Sequence, residues 1–81
     1  MKLNELTVGK LARVVNVRGG DMLRRRLLEL GFVIGAIIRV ENVSPLGKSF
    51  LINCQDTIFA LRLNAVSLIE VEEIIVNKPL I

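Results

Sequence analysis

The stretch from Leu23 to Gly35, Leu-Arg-Arg-Arg-Leu-Leu-Glu-Leu-Gly-Phe-Val-Ile-Gly, holds the one convincing helix of the chain, its stop signal and the start of a strand. Leu23, Leu27 and Leu30 stand at i, i+4 and i+7, so they share one face of a 3.6-residue period while Arg24, Arg25 and Glu29 point elsewhere. This spacing predicts a helix over about residues 22–30 with one core face and one wet face. Asp21 is the expected N-cap, because its carboxylate can accept from the orphan amides of the first turn and sits at the positive end of the helix dipole. Gly31 suits the left-handed position that ends a helix, and Phe32 just beyond it is placed to pack back onto Leu27. From Val33 the residues turn β-branched, which predicts a turn at Gly35 and a strand after it.

Everything else reads as β-structure. Leu3 and Leu6 are spaced for one short helical turn before Gly9, and Lys10 to Arg18 reads as a first strand. Its alternation is imperfect, so a bulge or burial of both faces is expected there. Ala36 to Val43 predicts a second strand, with Ile38 and Val40 inward and Arg39 and Glu41 outward. In Ser44-Pro45-Leu46-Gly47, proline presets φ for a turn and glycine tolerates φ > 0, so Leu46 is expected at a loop tip rather than in the core. Phe50 to Cys54 and Ile58 to Leu63 form a hairpin around Gln55-Asp56-Thr57, then a helical turn at Asn64 to Val66 leads to a short fifth strand, Leu68 to Val71. Several short strands at regular spacing with one inserted helix predict a mainly β fold, a small closed barrel of five or so strands over residues 1–73. Residues 74–81, Ile-Ile-Val-Asn-Lys-Pro-Leu-Ile, form a tail too apolar for an ordinary solvated end.

Apolar residues make up 52% of the chain, more than one small core comfortably hides, which points to a partner surface or to a core rich in Val, Ile and Leu. The uncharged apolar run Leu30 to Ile38 is about half of what a bilayer crossing needs, so no membrane insertion is expected. A secretory leader is not evident, and Cys54 stands alone, so a cytoplasmic protein is expected. A net charge of +3 permits contact with an anionic partner without demanding it.

The residue inventory argues against catalysis. There is no His, Tyr or Trp, so Ser44, Ser49 and Ser67 lack an imidazole to activate them, and Lys48 and Ser49 point to opposite faces of a strand. Glu70 and Glu72 share a strand face but have no evident third metal ligand, and Cys54 reads as a small buried hydrophobe. Arg18-Gly19-Gly20 precedes a helix without completing a phosphate-binding pattern. No catalytic, cofactor or metal residue is therefore expected. Arg24-Arg25-Arg26 is the strongest charge run, readable as a solvated face balanced by Glu29 or as a docking site for an acidic partner.

Taken in order, Leu3-x-x-Leu6-x-x-Gly9, Leu27-x-x-Leu30-Gly31-Phe32-Val33-x-Gly35, Ser44-Pro45-Leu46-Gly47 and Ala60-Leu61-Arg62 followed by Ala65 and Ile69 resemble the FeoA family of the bacterial ferrous-iron uptake system. The resemblance covers about residues 2 to 72. It implies an SH3-like β-barrel similar to the C-terminal domain of DtxR-type repressors, and a non-enzymatic accessory module that acts with FeoB, a membrane transporter with a GTPase domain. The expected contact residues are Arg24 and Arg25 on the helix and Pro45 and Leu46 at the loop tip. An alternative reading is a nucleic-acid-binding barrel with a basic face drawn from Arg13, Arg18, Arg24, Arg25, Arg39 or Lys48, disfavoured by the shortage of stacking aromatics. Self-assembly that buries Ile74 to Ile81 between identical subunits is compatible with the first reading.

Overall fold

The computed structural model describes residues 1–75; most of the apolar tail, from residue 76 on, lies outside the described residues. A 3₁₀ turn at Leu3–Glu5 is followed by β1 (Leu11–Val17), α1 (Asp21–Leu30), β2 (Ile37–Val43), β3 (Ser49–Cys54), β4 (Thr57–Arg62), α2 (Leu63–Val66) and β5 (Ile69–Glu73). The strands form one antiparallel sheet in the order β4-β3-β2-β1-β5, bent around a single apolar core.

The imperfect alternation of β1 is resolved by a bulge. Ala12 and Val14 are buried, the register against β5 shifts between Val14 and Asn16, and Val17 is buried instead of Asn16. One extra residue turns the strand's phase over, so an even-numbered face becomes an odd-numbered one. In β2, Ile38 and Val40 are buried as the alternation predicts, and a second shift follows between Val40 and Asn42. Gln55 and Asp56 take φ of 51° and 68°, the mark of a two-residue hairpin turn of type I′. The Asn53 side-chain oxygen accepts from the Asp56 amide at 3.1 Å there, and Thr57 already belongs to β4.

α1 begins one residue earlier than expected, and its cap differs. Gly20 is the N-cap, with φ −70° and ψ 165° and no side-chain bond, and Asp21 is the first helical residue. Its carboxylate therefore serves the dipole end rather than the cap. The stop is a Schellman turn: Gly31 has φ 114°, its amide donates to the Leu28 carbonyl at 3.1 Å, and the Phe32 amide donates to the Leu27 carbonyl at 3.1 Å. A Cβ on Gly31 would meet only the Cys54 sulfur, at 4.0 Å, so the glycine is required by its backbone angle rather than by space. Gly31→Ala is expected to cost about 1–2 kcal/mol, read as a lower urea midpoint at unchanged slope.

Folding back at Gly31 puts Phe32 fully into the core, in tilted contact with Phe59 at 5.3 Å between ring centres. This displaces Leu30, expected in the core and 39% exposed; Leu27 is buried and Leu23 and Leu28 pack against the core instead. Val33 and Ile34 lie in the exposed connection before β2, ahead of the turn expected at Gly35.

Among the described residues the hydrogen-bonded order leaves two edges, β4 and β5, so hydrogen bonds do not close the small barrel completely. The β5 edge is covered by the N-terminus: Lys2 bridges to Glu70, and the Val71 amide donates to the Met1 carbonyl at 2.8 Å. α2 and the 3₁₀ turn contact each other, α2 also contacting β4 and the 3₁₀ turn β5.

Candidate partner-docking surface

The loop between β2 and β3 is held by serine rather than by packing. The Ser44 hydroxyl oxygen accepts from the amides of Lys48 at 3.2 Å and Ser49 at 3.1 Å. The Ser44 amide donates to the Ser49 carbonyl at 2.9 Å, and the Gly47 amide donates to the Ser44 carbonyl at 2.8 Å. Gly47 supplies the positive φ, 70°, that the turn needs. A short loop with its backbone groups satisfied in this way keeps a defined shape. Leu46 stands at its tip, 82% exposed, beside exposed Pro45, as the residues predict. A hollow of about 150 Å³ opens next to it, lined by Asn42, Ser44, Ser49, Phe50, Leu51 and Ala60. The loop thus offers one apolar side chain to a partner and a small recess that can receive one.

Arg24 and Arg25, both exposed, lie in the first half of α1. They have different surroundings. Arg24 Nε donates to the Val17 carbonyl at 3.0 Å, tying α1 to the end of β1, whereas Arg25 has no carboxylate within 4 Å among the described residues. The i+4 pairing of Arg25 with Glu29 that the spacing offers is not formed. The helix and the loop are not brought together into one patch. The loop lies at the Val43 and Ser49 end of the β2–β3 hairpin, while the end of α1 meets the opposite end, where the Cys54 thiol donates to the Gly31 carbonyl at 3.5 Å.

Around α1 the structure adds apolar surface that helical spacing did not isolate. Met22 is 86% exposed and Ile34 72%, and Leu30 and Val33 are exposed on the same helix–loop segment. The signal for Val33 and Ile34 was the Gly31–Gly35 bracket, which marks a connection instead of a strand start.

Other groups named for chemistry serve the fold. Glu70 accepts from Arg18 in an ion pair of 2.6 Å and from Asn16 at 3.5 Å, and no group of three His, Cys, Asp or Glu residues that could hold a metal occurs among the described residues. Cys54 is buried, and burial pushes its thiol pKa up, away from the reactive thiolate. Gly19 takes φ 107°, a backbone angle that strains any side chain, and a Cβ there would lie 2.8 Å from the Leu68 side chain, which would have to shift. Of the arginines proposed for a basic face, Arg18 is paired with Glu70, Arg39 with Glu41, and Arg24 with a carbonyl. No helix among the described residues is long and apolar enough to cross a membrane.

The comparisons with known proteins agree with this architecture. The FeoA domain model matches residues 1–73. The chain is 39% identical over 77 residues to the Fe(2+) transport protein A/Fe(2+) transporter FeoB fusion protein of Porphyromonas gingivalis, covering 95% of this chain and 9% of the fusion. It therefore corresponds to a small part of that relative's length. Among solved structures, the FeoA protein of Chlorobium tepidum superposes with a TM-score of 0.87 at 36% identity, over 96% of this chain and 74% of that one. The zinc complex of Stenotrophomonas maltophilia FeoA, described as an SH3 domain protein, gives 0.79 at 36% identity, over 89% of each chain. By the family model and these likenesses, the chain belongs to the FeoA family, with an SH3-like fold.

Proposed function

We propose that this chain is a non-enzymatic accessory protein of bacterial ferrous-iron uptake, and that it acts in the cytoplasm by binding the cytoplasmic part of a FeoB-type transporter. The observation that carries the reading is the Porphyromonas gingivalis fusion, in which a homologue of this chain and a ferrous-iron transporter form one polypeptide. Physical linkage raises the effective concentration of two modules that work together, and separate chains must replace it with a docking surface. The exposed Leu46 and Pro45 on their hydrogen-bonded loop suit that surface, since a rigid apolar anchor loses little entropy on binding. Arg25, which has no ion partner among the described residues, adds a cation that can meet a carboxylate. Because loop and helix lie apart, the loop carries the contact and the helix contributes to a second one.

The composition supports a role without catalysis, since the chain has no His, Tyr or Trp and a single Cys. Binding to nucleic acid has no comparable support: three of its candidate arginines are engaged within the domain. Uptake of ferrous iron by cells lacking this gene tests the role. Uptake should fall and recover on complementation with the wild-type chain; unchanged uptake with the transporter as the operating route would refute it.

A further inference from the structure

The two sheet edges are treated differently. Residues Met1 and Lys2 cover β5, and the Met1 ammonium adds a bond to the Val71 carbonyl at 3.1 Å, but no described segment pairs with the outer side of β4. Natural sheets blunt an open edge with lysine, proline, a bulge or an inward charge. β4, Thr-Ile-Phe-Ala-Leu-Arg, has none of these before its last residue, and its six-pair register with β3 is unbroken, whereas the ladders β1–β5 and β2–β3 both shift. The edge is unbroken and apolar from Ile58 to Leu61.

Its hydrogen-bonding groups can be assigned. The two-residue turn makes Cys54 and Thr57 the first bonded pair, so strict alternation turns the amides and carbonyls of Thr57, Phe59 and Leu61 toward β3. Those of Ile58, Ala60 and Arg62 face outward. We propose that this edge pairs with the β4 edge of a second copy of the chain, antiparallel about a two-fold axis at Phe59, to give a continuous ten-stranded sheet across a symmetric dimer.

That register is self-complementary. Ile58 meets Ala60 of the second copy in a bonded pair, and the symmetry repeats it, giving four backbone bonds. Asp56, the turn residue just before the strand, comes opposite Arg62 of the second copy at both ends; neither residue has an ion partner among the described residues. Phe59 faces its own counterpart at a non-bonded position, where side chains approach most closely and aromatic pairs are favourable. Phe59 and Leu61 pack on the core yet remain half-buried, and Ile58 is 51% exposed, so the pairing covers apolar surface on both faces. Moving the axis to Ala60 would set Ile58 against Arg62 and leave Asp56 unmatched, so charge selects the Phe59 register.

Sedimentation of the 81-residue chain over a concentration series tests this. The wild type should show a reversible doubling of mass. Ala60→Pro removes an amide that β3 does not use, in an edge position that tolerates proline, so it should weaken the dimer at least about tenfold with the circular dichroism spectrum retained. Arg62→Asp should weaken it similarly by setting Asp56 against a like charge, and the double variant D56K/R62D should restore it, which decides the matter even if the proline variant fails to fold. A wild type that stays monomeric up to about 1 mM, or a dimer indifferent to the charge reversal, would overturn the proposal.

Discussion

Phe32→Ala is expected to be the most damaging single substitution in the domain. The ring is fully buried, it contacts Phe59 at 5.3 Å, and its own amide completes the helix stop by bonding to the Leu27 carbonyl. Truncating a buried phenylalanine costs about 3–5 kcal/mol, partly as lost transfer energy and partly as a cavity. A chain of this size has roughly 4–12 kcal/mol in total, so the variant should lose a large part of its stability. Urea unfolding should show a midpoint lower by about 2–4 M at a similar slope. Phe32→Leu, which keeps most of the volume, should cost less than half as much. Equal losses would mean that the ring's fit and its contact with Phe59 matter little.

Leu46→Asp is expected to separate binding from stability. With 82% of the residue exposed and the loop fixed by Ser44 rather than by Leu46, an acidic side chain removes no core contact. Its effect on unfolding should stay within about 0.5 kcal/mol. At an interface the same change buries a carboxylate where an apolar anchor belonged, so affinity for the transporter should fall at least about tenfold, measured by equilibrium titration. Normal binding by a folded variant would remove the loop from the interface. Ser44→Ala offers a graded comparison, because it keeps Leu46 but releases two loop amides.

What the residues disclosed about this fold is mostly local chemistry. The stop at Gly31–Phe32 was readable because only glycine enters the left-handed region without penalty and an aromatic followed it. The irregularity of β1 was readable because apolar residues fall on both parities, which allows a bulge or burial of both faces, and the bulge is what formed. Leu46 could be placed because proline and glycine flank it. What escaped depended on distance. Leu30 has the spacing of a core residue, but the chain reversal at Gly31 gives the core to Phe32, and a helical period carries no information about the reversal's aim. Arg24 reads as a free cation until the Val17 carbonyl, seven residues back, is found beside it. A strand pattern likewise predicts pairing without saying which strands end as edges, so the open side of β4 and the cover that Met1 and Lys2 give β5 emerged only with the fold.

Docking onto a FeoB-type transporter is measurable by capture of the purified protein on the detergent-solubilised transporter of the same cell, with and without guanine nucleotide, at physiological salt. Saturable, salt-tolerant binding is expected, with a change between nucleotide states if the protein acts through the GTPase domain. No binding in any nucleotide state, with both proteins folded, would contradict it.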